Sequence, residues 1–300
     1  MTEHALDFSH PEKLLLFGGE VEIFDFVPAT QTSGLPILYM QGYGQTPYSR
    51  RDTIGEIYRA GRRVLALSYS STIQTVKEKG IPAILATEAN IILEVLHHKK
   101  IASVDVIAHS QGCTTTILAA HKEPNRFRHF VLFGPPGFMG KRSYLEIMIR
   151  GYRYLKARPR LRATMASQEE QSRFDESIAS MDAWLEQRGK VRGLYESAQP
   201  GRLDITGRLR ELKHGAGGRA HGVVIFAATD DIMVPIEQLQ YQDRRRTVPR
   251  STADLGVDAF HAIEGGHEKF STEPDIFAKA AVTELEELEQ KYTSGGGQAV

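Results

Sequence analysis

From Pro36 onward, short apolar runs alternate with longer stretches in which apolar residues recur at helical spacing. That rhythm predicts strand–helix–strand units and a parallel sheet. The strand candidates are "PILYMQ" (36–41), "RVLALSY" (63–69), "SVDVIAH" (103–109), "HFVLFG" (129–134), "GVVIFAA" (222–228) and "VDAFHAI" (257–263). Most carry apolar residues on both faces, as strands covered on two sides do. Before them, "KLLLFGGEVEIFDFVP" (13–28) reads as two strands joined at Gly18-Gly19, which adds an antiparallel pair to the sheet. Helices are predicted over 51–60, 84–100, 112–122 and 274–291, the second with Ile84, Leu85, Ala89, Ile92 and Leu96 on one face.

One segment breaks the alternation. Between Met139 and Ala220 there are several helical stretches and no convincing strand, so residues 139–220 are predicted to be a helical insertion into a core formed by 1–138 and 221–292. Within it, Ser167 and Glu170 form a capping box, and Phe174, Ile178, Met181 and Leu185 fall on one helix face, expected to dock on the rest of the protein. The last stretch, 293–300, reads as a flexible tail.

Composition narrows the function classes. The chain has 300 residues, 41% of them apolar and 25% charged, enough for one large core with an insertion. Its formal net charge is zero, so no global field draws it to nucleic acid or to an acidic membrane. The single cysteine, Cys113, allows no internal disulfide, no apolar run is long enough for stable membrane insertion, and the N-terminus lacks a secretion-signal pattern. A cytoplasmic protein without nucleic-acid partners is expected. Charge is uneven: residues 141–220 hold 13 Arg and 4 Lys against 10 acidic residues, a balance of +7 against −7 elsewhere. Those arginines are expected to pair with the acidic body; otherwise they would favour an anionic substrate or a lipid surface.

Candidate chemistry lies in "VDVIAHSQGC", where a predicted strand turns into a predicted helix at Ser110. Such an abrupt turn strains the apex residue and brings backbones close, so the positions two before and two after must be small. Here they are Ala108 and Gly112, with His109 and Gln111 beside the apex. The turn would push the Ser110 hydroxyl outward at the carboxyl end of the sheet, with a helix N-terminus aimed at it. A plain helix cap would also accommodate a serine there. A nucleophilic serine needs a base and an acid to orient that base. Asp230 and Asp231 follow "GVVIFAA", and His267 follows the last predicted strand after Gly265-Gly266, with His261 inside that strand as the rival. Paired carboxylates, metal-spaced His/Cys clusters and phosphate loops are absent from the sequence, so no metal or organic cofactor is implied.

Serine, aspartate and histidine motifs in this order, each after a strand, resemble the α/β-hydrolase fold superfamily in its serine-nucleophile branch. The resemblance implies an eight-stranded, mostly parallel sheet flanked by helices, with the insertion as a helical lid. It assigns Ser110 as nucleophile, His267 as general base and Asp231 as its orienting acid. Asp231 is preferred because the superfamily's acid commonly stands four residues before a helix-starting proline, here Pro235. An oxyanion hole would use the backbone N–H groups of Gln111 and of Tyr43 in "MQGYGQTP", where Gln41 stands in the place of the usual histidine. After the fourth strand "ALSYSSTIQ" departs from the usual Asp-x-x-Gly-x-Gly-like turn, and a serine at the apex argues against the epoxide hydrolase and haloalkane dehalogenase branches. The implied activity is hydrolysis of small, apolar carboxylic esters, carboxylesterase- or lipase-like. A C–C bond hydrolase, aminopeptidase, acyltransferase or perhydrolase would use the same residues, and a non-catalytic ligand receptor could keep the fold.

Overall fold

The computed structural model describes residues 6–30, 34–138, 142–215, 220–235 and 256–294. Eight strands form one sheet: β1 (Glu12–Leu16), β2 (Gly19–Phe26), β3 (Ile37–Met40), β4 (Val64–Tyr69), β5 (Val104–His109), β6 (Phe127–Phe133), β7 (Gly222–Ala228) and β8 (Ala259–Ile263). Their spatial order is β1-β2-β4-β3-β5-β6-β7-β8. The β1–β2 and β2–β4 pairs are antiparallel, and every pair from β4 to β8 is parallel. The predicted hairpin turns at Phe17 and Gly18, both at positive φ.

The two-residue period of the strands divides the core. Leu38, Met40, Leu65, Val106, Ala108, Leu132, Val223 and Ile225 face the helices α2 (Ala83–His98) and α3 (Gln111–Lys122). Ile37, Tyr39, Val64, Ala66, Ile107, Val131 and Phe226 face the opposite layer, formed by α1 (Arg51–Arg59) and the helix Pro274–Ser294. The neighbouring strands β3 and β5 therefore send their following helices, α1 and α3, to opposite faces. That divergence opens a crevice beyond their carboxyl ends, which is where ligands bind in open α/β sheets.

Between β6 and β7 the described residues contain no strand. They form α4 (Tyr144–Ala163), α5 (Gln168–Arg188), α6 (Lys190–Ser197) and α7 (Thr206–Lys213). The Ser167 hydroxyl accepts the Glu170 N–H at 3.1 Å, as the capping-box spacing predicts. The apolar stripe on α5 faces the body: Phe174 is buried, Met181 packs against Gly44, and Ile178, Met181 and Leu185 also line a cavity. The arginines differ from expectation. Arg158 pairs with Asp182, Arg162 with Asp175 and Arg188 with Glu196, all inside this segment, while Arg173 reaches Asp52 of the body. Antiparallel helix neighbours and i,i+4 spacing put the segment's own carboxylates nearest. Of the expected tail, Thr293 and Ser294 continue the final helix, and 295–300 lie outside the described residues.

Strand β5, which carries Ser110, holds one charge in its otherwise apolar run. The fully buried Asp105 takes Arg62 at 2.7 Å and Arg128 at 2.5 Å. Removing one partner of a buried ion cluster leaves the others uncompensated. Asp105→Ala should therefore lower unfolding stability by about 3–5 kcal/mol in urea titrations. An unchanged midpoint would contradict this account of the β5 anchor.

Candidate active site

Ser110 sits between β5 and α3 with φ +52° and ψ −124°, a backbone conformation costly for any residue with a Cβ. The strain is held by its neighbours. The Ser110 N–H donates to Phe133 O at 2.8 Å, tying the apex to β6. Ala108 is fully buried, and a Cβ on Gly112 would lie 2.5 Å from Met40 O and 2.7 Å from Gln41 O. Only glycine lets α3 start this close to β3. Ser110 occupies the N-cap position of α3, yet its side chain makes no capping hydrogen bond. Cys113, one turn on, is buried, with its thiol donating to Ala108 O at 3.2 Å, and burial pushes that thiol well above its usual range.

The loops after β7 and β8 meet beside this elbow. Thr229 N–H donates to Ile263 O, and Asp230 N–H to Gly265 O, each at 2.8 Å. Asp230 is exposed, whereas Asp231 is 3% exposed and turns inward. One Asp231 oxygen accepts the backbone N–H groups of Met233 and Val234, both at 2.8 Å; the other lies 2.6 Å from His267 Nδ1. Burial lowers the affinity of His267 for a proton, but the charge and hydrogen bond of Asp231 more than offset this, and its pKa is raised above the ordinary 6.5. The rival His261 lies on β8 with Nε2 2.7 Å from Glu284 and its ring stacked on Phe226. The helix expected after Pro235 lies outside the described residues.

Ser110, His267, Tyr43, His109 and Gln111 line one cavity of about 320 Å³ between the sheet and helices α4–α6. No hydrogen bond joins the Ser110 hydroxyl to His267 among the described residues. The His109 ring lies 4.8 Å from that of His267, and burial holds its pKa well below the usual value, so it is neutral near pH 7.

The loop after β3 is shaped by Gln45, whose side-chain oxygen accepts the Gly42 N–H at 3.1 Å. The Tyr43 N–H has no acceptor among the described residues, and Gln111, as the first residue of α3, has no intrahelical one. Side chains on each of these residues anchor them elsewhere. Tyr43 OH donates to Gly193 O at 2.8 Å, and Gln111 Nε2 donates to Glu88 at 2.6 Å. Glu88 also accepts the Tyr69 hydroxyl; burial pushes its carboxyl up to about 7, partly offset by these two bonds. Gln41, where a histidine was the usual residue, donates instead to Leu67 O at 2.6 Å.

Sequence reasoning missed several contributors. Gly134, at φ +54°, ends β6 beside His267; a Cβ there would sit 3.1 Å from the imidazole. A glycine directly after a strand's carboxyl end was the available signal. Glu88, Gln45 and Arg158 carried none: they lie in the predicted 84–100 helix, the glycine loop and the insertion, and no spacing within those stretches tells which of their polar side chains turn toward the site. Among the described residues no group of three or more His, Cys, Asp or Glu side chains could hold a metal, and no helix is long and apolar enough to cross a membrane.

No family model matches the chain, and no curated protein does at significant similarity. Among solved structures it is similar to a carboxylesterase of the ammonia-oxidizing thaumarchaeon Nitrososphaera gargenis, with 14% identity and a TM-score of 0.66 over 93% of this chain and 100% of that one. A meta-cleavage product hydrolase from Pseudomonas fluorescens IP01 gives 16% identity and a TM-score of 0.58 over 92% and 97%. An α/β hydrolase fold protein from Chitinophaga pinensis gives 14% and 0.61 over 92% and 97%. At these identities the shared property is the fold.

Proposed function

Given that the chain has the α/β-hydrolase fold, we propose that it is a serine hydrolase cleaving carboxylic esters through an acyl-enzyme, with helices α4–α7 as its lid. The Ser110 oxygen attacks the ester carbonyl while His267 Nε2 takes its proton. Asp231 holds Nδ1–H and stabilises the imidazolium that forms. The N–H groups of Tyr43 and Gln111 receive the negative charge on the carbonyl oxygen. His267 then protonates the leaving alcohol, and a water activated by the same imidazole releases the acid. The observation that carries this reading is the 2.6 Å Asp231–His267 contact opening on the same cavity as the strained Ser110 elbow.

A fluorophosphonate probe tests it. Stoichiometric labelling of the intact protein, blocked by Ser110→Ala, is expected; a folded protein that never labels would leave the competing reading, a ligand receptor. What favours that alternative is the missing Ser110–His267 hydrogen bond. In many enzymes this contact tightens only around substrate.

The pH dependence follows from His267. It must be neutral to accept a proton, and Asp231 raises its pKa above 6.5. Activity should therefore fall as pH drops, with the kcat/KM limb for a non-titrating ester lying above the ordinary histidine value of about 6.5. A limb at or below that value would contradict the Asp231 contact.

A further inference from the structure

The cavity is walled by apolar side chains with a few polar groups, and among the described residues Arg158 on α4 is its one formally charged lining residue besides the titratable His109 and His267. Its guanidinium is incompletely partnered. The Nη1 reaches both Asp182 oxygens at 3.3 Å, a long contact to a carboxylate that is 51% exposed and so screened by water. Nε and Nη2 are buried and have no hydrogen-bond partner among the described residues. Each such orphan donor costs desolvation that only an acceptor recovers.

A second guanidinium lies behind the same wall. Arg50 is 2% exposed, and no carboxylate among the described residues pairs with it. It donates through Nε to Gln45 Oε1 at 3.1 Å and through Nη2 to Ser177 Oγ at 3.2 Å, and Gln45 and Ser177 both line the cavity. Burial depresses its pKa, as expected for a cation without a counter-ion. Arg158 thus lines the apolar cavity, and Arg50 lies directly behind two of its lining residues.

We propose that the substrate is an ester bearing a free carboxylate, seated with its carboxylate on Arg158 and within the field of Arg50, and its scissile carbonyl at Ser110. The inference rests on the esterase reading for the reaction but not for the binding. A planar guanidinium fork matches a carboxylate, and an apolar chain between two polar ends fits the Met148, Leu155, Ile178 and Met181 walls. A neutral ester of equal length would bring the Arg158 guanidinium no counter-charge.

The experiment compares p-nitrophenyl hexanoate with the mono-p-nitrophenyl ester of adipic acid, and phenyl hexanoate with the hexanoate ester of 4-hydroxybenzoate. The first pair places the carboxylate on the acyl side, the second on the alcohol side. In at least one pair the charged ester should be preferred by about 10- to 100-fold in kcat/KM, mainly through KM. Arg158→Met, which keeps an unbranched apolar stem, should erase that ratio. Asp182→Asn, at an exposed position, should keep or increase it by removing the competing carboxylate. Calorimetry of adipate and 4-hydroxybenzoate on Ser110→Ala protein, with and without Arg158→Met, reads the anion site without turnover. If neutral esters are preferred in both pairs, or the ratio survives Arg158→Met in a folded protein, the proposal is overturned. If Arg158→Met does not fold, loss of the preference in Asp182→Asn overturns it equally. Should fluorophosphonate labelling fail while a carboxylate binds and needs Arg158, the esterase reading falls and the anion site stands.

Discussion

Ser110→Ala should abolish ester turnover by about a million-fold while leaving the fold intact. The magnitude comes from removing the atom that forms the covalent intermediate, after which only substrate binding and the oxyanion donors accelerate attack by water. Folding should survive because the hydroxyl makes no capping bond and alanine meets the same strain at φ +52° that serine does. Urea midpoints of the two proteins should agree, and single-turnover rates with p-nitrophenyl esters provide the activity measurement. A variant retaining a tenth of the rate would mean that Ser110 is not the nucleophile and that the hydrolysis belongs elsewhere.

The second large effect separates two adjacent aspartates. Asp231→Asn should reduce kcat by about 10⁴-fold, because an amide cannot accept Nδ1–H in the way a carboxylate does and offers no charge to the imidazolium. The asparagine oxygen can still accept the Met233 and Val234 N–H groups that Asp231 now receives at 2.8 Å, so the turn should persist. Asp230 is exposed and joined to the site only through its backbone N–H to Gly265 O, so Asp230→Asn should change kcat by less than twofold. The reverse ranking would move the acid role by one residue. Running both variants across pH also isolates His267: without the Asp231 charge, its limb should shift downward, since burial is then opposed by the weaker Glu268 field alone.

Which parts of this were readable beforehand depends on the range of the forces involved. The elbow was readable because its constraint is local: a Cβ at position 112 strikes two carbonyl oxygens of the neighbouring strand, and spacing alone encodes that. Strands buried on both faces were readable from unbroken apolar runs such as residues 222–228. Which of Asp230 and Asp231 faces His267 was open in the sequence, since neighbours in a loop point apart and either could turn inward. It was decided by the zipper of β7 and β8 loop bonds, which turns one carboxylate onto His267 and the other into water. The arginines of the insertion misled for a related reason: composition counts charges but does not say which carboxylate is nearest.

By itself the sequence determined the alternation of strands and helices, the Ser110 turn and the order of candidate groups, because periodicity and steric clash act over a few residues. The tertiary structure alone decided that Tyr43, Ser110 and His267 line one cavity with Asp231 behind the imidazole, and that Arg158, carried by a helix of the insertion, also borders it. Those meetings depend on strand order and on the divergence of α1 and α3 from neighbouring strands, which are properties of chain packing over a hundred residues and leave no local mark.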